Sequence, residues 1–274
     1  MQASLIWAPV AVAVGYGGAL AALWFSQDRL LYGSEARSSG RAAWTDAGVV
    51  VDRDGGEPAL RGWVDSPGQT DGVIYFGGAG EHLQDRRAVL RAHLPHTTRY
   101  LVPYRGMGPN HGLRPREAHL KQDAQRLWHA VAQRHARVWL VGRSLGSSIA
   151  VSLAARRAVA GMVLITPLFS VLDVARRRFP WTPARWLLRD HHEVWRDAPD
   201  VAAPVLGCVA AEDRITPPAA WVRLAPYWRT NVRTVTVPHA DHITVVQRAA
   251  LWRAVRGFIG DADRCHPERD AAAG

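Results

Sequence analysis

Residues 138–148 read VWLVGRSLGSS, and this stretch decides the fold expected for the chain. Four apolar residues that suit a buried strand run directly into GRSLG at 142–146, a G-x-S-x-G pentapeptide, and a helix-like pattern follows at 147–155. A sharp strand-to-helix turn of this kind lifts the serine hydroxyl above the edge of a sheet, beside a helix N-terminus. The stretch therefore predicts a nucleophilic Ser144. The alternative is an ordinary βα turn in which Ser144 caps the helix.

Short apolar runs alternate with helix-like patterns on both sides of this turn. Strands are predicted at residues 49–52, 60–64, 72–77, 99–104, 137–142, 161–166, 205–211 and 232–237. Helices are predicted at residues 81–93, 115–135, 147–155 and 243–258. Strands that alternate with helices form βα units, so we expect an α/β fold with a mostly parallel central sheet and helices on both faces.

The alternation is interrupted once, between residues 167 and 203, where helix-like pieces rich in arginine and tryptophan replace the strand pattern. A segment of this length indicates an inserted helical cap or a functional lid. Its aromatic side chains either suit an apolar group near the mouth of an active site or pack the cap onto the sheet. These side chains are Phe169, Phe179, Trp181, Trp186 and Trp195.

The composition excludes several classes of protein. The 274 residues suit one large domain, and 48% apolar with 21% charged residues excludes a disordered or fibrous chain. The net charge of +10 is spread along the chain as arginine, without a nucleic-acid-binding module, so we expect no nucleic-acid partner. Two cysteines cannot build a disulfide framework. Cys208 lies in an apolar run and is predicted to be a buried hydrophobe, and Cys265 lies in a polar tail.

The first 27 residues are a segment of a different kind. Residues 5–25 read LIWAPVAVAVGYGGALAALWF without a charge, and as a helix they would extend about 31 Å, which matches the ~30 Å hydrocarbon core of a bilayer. We predict an uncleaved single-span anchor in the inner or plasma membrane. A cleaved signal peptide and a buried core helix are the alternatives. Arginines at positions 29, 37 and 41 favour a cytoplasmic C-terminal domain, although large domains can be translocated regardless of such charges.

A nucleophilic serine needs a base and an acid that orients the base, and candidates for both follow later strands. The run at 205–211 ends in Glu212 and Asp213, and the run at 232–237 is followed by His239 and His242. The order serine, acid, histidine is the one expected on a sheet of this kind. An oxyanion hole would use the backbone N–H of Leu145 and another from the loop after the strand at 72–77.

With these features the chain resembles the α/β-hydrolase superfamily, and specifically its membrane-anchored branch related to the bud-emergence and depalmitoylating α/β-hydrolase-domain proteins. The resemblance covers roughly residues 20–259. It is carried by QDRLLY at 27–32, YFGGAGE at 75–81, YRGMG at 104–108, GRSLGSS at 142–148, AEDRITPP at 211–218 and HADH at 239–242. These motifs are specific to the superfamily and do not identify a substrate.

The resemblance implies a role for each matching residue. Ser144 matches the nucleophile, Asp213 the acid of a D-x-x-x-P arrangement, and His242 the base, with Glu212 and His239 as the rival acid and base. The residues GGA at 77–79 match the usual His-Gly-x, which makes the backbone of Ala79 the second oxyanion donor. Here a glycine stands in place of the histidine, so a side-chain support is missing.

The implied organisation is an anchor at 1–27, a connector at 28–46, an α/β-hydrolase domain at 47–259 with its helical cap at about 167–203, and a disordered tail at 260–274. The expected activity is cleavage of carboxylic ester or thioester bonds in a small-molecule or lipid-like acyl substrate, without a cofactor. The histidine groups at 191–193 and 239–242 lack the spacing of a helical zinc pair, so no metal is expected. A serine peptidase and a membrane-tethered binding protein without turnover are the alternative functions.

Overall fold

The computed structural model describes residues 3–33, 44 and 46–264. Within this part of the chain, eight strands form one sheet in the order β1-β2-β4-β3-β5-β6-β7-β8. The strands are β1 (Gly48–Val51), β2 (Leu60–Asp65), β3 (Asp71–Phe76), β4 (Thr97–Leu101), β5 (Arg137–Arg143), β6 (Gly161–Ile165), β7 (Val205–Ala210) and β8 (Val232–Val237). Strands β1 and β2 pair antiparallel, and β3 to β8 are all parallel. The predicted α/β-hydrolase fold class is confirmed.

The register of the parallel strands brings their carboxyl ends to one edge. On β5, Gly142 lies opposite Phe76 of β3, and Arg143 lies opposite Ile165 of β6. Ala210 of β7 lies opposite Val237 of β8. The loops that follow β3, β5, β7 and β8 therefore meet above the same edge of the sheet, and these are the loops that carry every predicted site residue.

Helices cover both faces of the sheet, whose inner strands are buried along their length because apolar side chains point to both faces. The described helices are α1 (Ala3–Tyr32), α2 (Leu83–His93), α3 (Glu117–Ala132), α4 (Leu145–Ala154), α5 (Val171–Arg178), α6 (Ala184–Leu187), α7 (Val194–Asp197), α8 (Pro218–Leu224) and α9 (Ala249–Arg264). Helices α5 to α7 lie within the predicted cap, which contains no strand.

Helices α8 and α9 differ from the prediction. Helix α8 was not predicted, yet Pro218 suits its first turn, and its Trp221 fills the space left by Gly207, where a Cβ would lie 2.1 Å from the indole. Helix α9 begins six residues later than predicted because the Asp241 carboxylate accepts the N–H groups of Ile243 and Thr244 and forms a local turn. It also extends to Arg264, into the predicted disordered tail, of which residues 265–274 lie outside the described part.

Helix α1 is longer than the predicted anchor and continues through residue 32, into the predicted connector. The segment Pro9–Tyr32 is long and apolar enough to cross a membrane, and an 18-residue stretch within it has a mean hydropathy of 1.5. The last turns of α1 are held by the cap. The side-chain oxygen of Gln27 accepts the Arg189 N–H (2.9 Å), and the hydroxyl of Tyr32 donates to Asp190 (2.8 Å). Of the connector, residues 34–43 and 45 lie outside the described part.

The aromatic side chains of the cap divide into two groups. Phe169 stacks on Trp195 with 6.3 Å between ring centroids, and both rings contact Tyr227, so these pack the cap onto the body. Trp181 and Trp186 instead remain exposed, with 50% and 82% of their surface accessible. The predicted role of packing the cap onto the body therefore applies to Phe169 and Trp195 but not to the exposed Trp181 and Trp186.

A buried polar cluster joins α1, the cap and α4. His192 is fully buried, with its Nδ1 2.9 Å from the Ser148 hydroxyl and its Nε2 3.2 Å from the Tyr32 hydroxyl. Its backbone N–H donates to the Glu117 carboxylate (2.8 Å). Burial lowers the pKa of His192 to about 4, although the nearby carboxylates of Glu117 and Asp190 oppose the shift. The imidazole is therefore neutral in the folded protein.

We expect this histidine to make stability depend on pH. Between about pH 6.5 and pH 4 the unfolded chain binds a proton at position 192 that the folded protein does not, so the free energy of unfolding falls as the pH falls, by up to ~1.4 kcal/mol per pH unit. Urea unfolding across this range measures the slope. The slope should be smaller in His192→Gln and unchanged in the control His96→Gln, whose side chain is exposed. Equal slopes in all three proteins would contradict the prediction.

Candidate active site

Ser144 occupies the sharp turn between β5 and α4 in a backbone conformation with φ of +49°, which non-glycine residues rarely adopt. Its N–H donates to the carbonyl of Ile165 (2.9 Å). A Cβ at Gly146 would lie 2.0 Å from the Phe76 carbonyl oxygen, and one at Gly142 would lie 2.6 Å from the Gly146 oxygen. The two glycines of GRSLG are thus required by close backbone approach, which holds Ser144 at the end of the strand.

The structure brings Ser144, His242 and Asp213 into one hydrogen-bonded chain. The Ser144 Oγ lies 2.9 Å from Nε2 of His242, and Nδ1 of the same ring lies 2.7 Å from Oδ2 of Asp213. All three side chains are buried. These distances are those of a nucleophile, a base and an acid that orients the base, and the three groups come from the loops after β5, β8 and β7.

The Asp213 carboxylate is held by the loop in which it lies. Its Oδ1 accepts the backbone N–H groups of Ile215 and Thr216, each at 2.8 Å, and its Oδ2 accepts the Thr216 hydroxyl at 2.8 Å. Burial alone would raise the pKa of this carboxyl, but the hydrogen bond and charge of His242, together with Thr216, outweigh it and keep the pKa below its usual value. Asp213 is therefore ionised and fixed in orientation beside His242.

The two rival residues lie away from this chain. The Glu212 side chain is 65% exposed and the His239 side chain is 89% exposed, and they approach each other at 3.7 Å. Glu212 and Asp213 are adjacent in the sequence, yet the turn after β7 directs only the Asp213 side chain toward His242. Sequence spacing could not decide between these two carboxylates.

The loop after β3 lies beside Ser144, where the second oxyanion donor was predicted. A Cβ at Gly78 would point to within 3.5 Å of the Ser144 Cβ. Ala79 follows in this loop, and Leu145 is the first residue of α4, so both predicted donors belong to backbone segments next to the serine. Their roles as oxyanion donors stay predictions.

Two side chains support this loop in place of the missing histidine. The Tyr104 hydroxyl donates to the Gly77 carbonyl (2.8 Å), and the Gly78 N–H donates to the Glu81 carboxylate (2.7 Å). A Cβ at position 77 would lie 2.6 Å from Cδ2 of Leu83, so a histidine there would require the Leu83 side chain to move. The departure from the family pattern is therefore matched by a different set of supports.

Glu81 also forms a buried ion pair with Arg143, the residue before the serine, with 3.1 Å between Nη1 and Oε1. Arg143 in turn donates from Nη2 to the backbone carbonyl of His242 (2.9 Å). The pair thus connects the loop after β3, the serine turn and the histidine loop. The ion pair was not predicted, although both residues lie in the motifs YFGGAGE and GRSLGSS, because no local pattern in a sequence pairs residues 62 positions apart.

No group of three or more His, Cys, Asp or Glu side chains among the described residues is arranged to hold a metal ion. Of the histidines considered as ligands, His192 belongs to the buried cluster with Ser148 and Tyr32, and His242 contacts Ser144. Cys208 is buried, which raises the pKa of its thiol to about 12 and leaves it protonated. Cys265 lies outside the described residues.

Comparison with known proteins gives both close relatives and fold neighbours. The chain is 32% identical over 263 residues to "Uncharacterized protein Rv2307c" of Mycobacterium tuberculosis, a match that covers 90% of this chain and 92% of the relative. It is 32% identical over 123 residues to the "Alpha/beta hydrolase domain-containing protein aho-3" of Caenorhabditis elegans, which covers 45% of this chain and 36% of that protein. No protein-family model matches the chain.

Solved structures with the same fold are more distant in sequence. An alpha-beta hydrolase from Vibrio vulnificus has a TM-score of 0.64 at 18% identity and covers 86% of this chain and 90% of its own. The Pyrococcus furiosus esterase PF2001 has a TM-score of 0.61 at 13% identity and covers 82% of this chain and 92% of its own. At these identities the likeness establishes the fold alone. The chain belongs to the family of the mycobacterial protein Rv2307c and has the α/β-hydrolase fold.

Proposed function

We propose that this protein is a membrane-anchored serine hydrolase that cleaves carboxylic ester or thioester bonds through an acyl-enzyme. The observation that carries the proposal is the buried chain from Ser144 through His242 to Asp213, with distances of 2.9 and 2.7 Å. Serine in a strained turn, a histidine in contact with its hydroxyl and an ionised carboxylate behind the histidine are the three groups that acyl transfer needs.

In the first half of the reaction the Ser144 oxygen attacks the acyl carbonyl carbon while Nε2 of His242 takes the hydroxyl proton. Asp213 holds the imidazole in the required tautomer and stabilises its positive charge. The N–H groups of Leu145 and Ala79 would bind the negative oxygen of the tetrahedral intermediate. The bond from the carbonyl carbon to the alcohol oxygen or thiol sulfur then breaks, and the leaving group receives the proton from His242.

In the second half, His242 takes a proton from water, and the resulting hydroxide attacks the acyl-enzyme. The bond to Ser144 Oγ breaks, the serine oxygen regains its proton from His242, and the free carboxylic acid leaves. Every proton moves through His242, so this sequence requires no cofactor.

Relatives and motifs support the choice of bond. The fold neighbour from Pyrococcus furiosus is an esterase, and the nematode relative is an α/β-hydrolase domain-containing protein. The QDRLLY stretch at 27–32 follows the apolar helix, as it does in the membrane-anchored depalmitoylating branch that the sequence resembles. We therefore include thioesters of lipid-like acyl groups among the proposed substrates and propose that the chain belongs to that branch.

Labelling with a fluorophosphonate tests the nucleophile directly. The probe phosphonylates an activated serine, so digestion and peptide mapping of the labelled full-length protein should place the adduct on Ser144. Turnover of p-nitrophenyl esters but not of aminoacyl-nitroanilides should accompany the label and would exclude a peptidase. A protein that neither takes the label nor cleaves any ester would be a binding protein, contrary to the proposal.

We further propose that α1 is an uncleaved membrane anchor, because its apolar window matches the thickness of a bilayer and its exposed side chains include Val12, Val14 and Phe25. Full-length protein should stay with membranes in alkaline carbonate and in high salt, and should dissolve in detergent. Release by carbonate, or a mature N-terminus near Ala22, would contradict the anchor and indicate a peripheral or secreted protein.

A further inference from the structure

An apolar cavity of about 330 Å³ lies between helix α1 and the cap. Leu23, Leu30 and Leu31 of α1 form one wall, and α5 contributes Val174 and Ala175 to the other. The lining is almost entirely apolar, and the volume lies at the lower end of the ~300–1,000 Å³ range of ligand pockets. A cavity of this composition suits a hydrocarbon group.

Residues next to each wall of the cavity contact a loop of the candidate active site. At the end of α1, Gly33 lies so close to Gly80 that a Cβ on it would be 2.4 Å from the Gly80 Cα, and Gly80 follows the predicted oxyanion donor Ala79. On the other wall, Arg177 of α5 donates to the backbone carbonyl of Ile215 (3.2 Å), two residues after Asp213. The cavity is thus built from elements that contact both the oxyanion loop and the acid loop.

The outer side of the cavity adjoins the surface expected to meet lipid. The Tyr16 hydroxyl, half-way along α1, donates to the backbone carbonyl of Trp181 (3.1 Å), so the cap extends alongside the apolar helix. Trp181, Trp186 and Phe25 are exposed, and large apolar side chains that are exposed suit contact with lipid. Arg178 is the only charged side chain among the cavity-lining residues.

We propose that this cavity binds the acyl chain of the substrate, which enters it from the bilayer. The inference rests on the proposed hydrolase function and adds to it the place where the acyl chain of a membrane-held ester or thioester binds. The acyl chain of the substrate lies between α1 and α5. The anchor helix therefore forms part of the substrate site in addition to tethering the protein.

The first test uses binding without turnover. Full-length Ser144→Ala protein in phosphatidylcholine vesicles is irradiated with a diazirine-bearing palmitate, and the labelled peptides are mapped. Label should fall on residues 23–31 and 171–188, and excess palmitate but not acetate should displace it. Adding Ala175→Trp or Leu30→Trp, which fill the cavity from opposite walls, should reduce the label, and Ala92→Trp on an exposed face of α2 should not. Label spread along α1 and unaffected by either filling variant would overturn the proposal.

The second test uses turnover by proteins that retain Ser144. Ala175→Trp and Leu30→Trp should lower kcat/KM for p-nitrophenyl palmitate by about tenfold or more and leave p-nitrophenyl acetate nearly unchanged, with Ala92→Trp resembling wild type on both. Retained acetate turnover also shows that the variants fold. Normal chain-length preference in both filling variants would overturn the cavity assignment alone. If the wild-type protein cleaves no ester, the hydrolase proposal fails. Palmitate labelling of the cavity would then show binding of an acyl chain but not that the acyl chain belongs to a substrate.

Discussion

Alanine at position 144 is expected to abolish ester hydrolysis, with a loss on the order of 10⁶ in kcat, as in other serine triads from which the nucleophile is removed. Without the Oγ no acyl-enzyme can form, and the His242 imidazole loses the group that it contacts at 2.9 Å. Steady-state turnover of p-nitrophenyl esters measures the loss, and fluorophosphonate labelling should disappear with it. His242→Ala should be nearly as severe, and the double variant should be no worse than either alone because the residues act as a unit.

A serine in the helix that follows Ser144 provides the matched control. Ser152 of α4 is buried and contacts Arg156. Ser152→Ala should keep its ester turnover within a small factor of wild type. More than a tenth of wild-type activity in Ser144→Ala would show that another group is the nucleophile and would refute the mechanism.

Asparagine at position 213 is expected to lower kcat by ~10⁴, because a neutral amide cannot hold His242 in the productive tautomer or stabilise its charge. The change is nearly isosteric, and the amide oxygen can still accept the N–H groups of Ile215 and Thr216, so the loop should keep its shape. The loss should appear in kcat/KM as well as in kcat, since the interaction with His242 is strongest in the transition state.

Comparing Glu212→Gln with Asp213→Asn tests which of the two adjacent carboxylates is the acid of the triad. The Glu212 side chain is 65% exposed and lies next to His239 rather than His242, so removing its charge should leave kcat within about twofold of wild type. Circular dichroism and the melting temperature should show that both variants are folded. An inactive Glu212→Gln beside an active Asp213→Asn would mean that the acid is the other carboxylate and that this loop is arranged differently in solution.

Local patterns in the sequence predicted secondary structure well where all the residues that determine an element are close together in the chain. The strand, the G-x-S-x-G turn and the helix at 138–155 are adjacent along the chain, and the glycines at 142 and 146 are demanded by contacts within the same turn and with the neighbouring strand. Helix α8 and the late start of α9 were missed for the opposite reason. Their bounds depend on Trp221 filling the space over Gly207 and on the Asp241 carboxylate capturing two N–H groups.

The sequence by itself determined the α/β fold class, the order of serine, acid and histidine, and the apolar character of the first helix, because periodicity, turn residues and motif order are properties of neighbouring residues. The tertiary structure alone decided which carboxylate and which imidazole meet Ser144, and that Glu81 and Arg143 connect three loops. It also decided that α1 and the cap line an apolar cavity between them. These features join residues far apart in the chain, and such contacts follow from strand register and loop geometry, which bring side chains together at distances that no sequence spacing encodes.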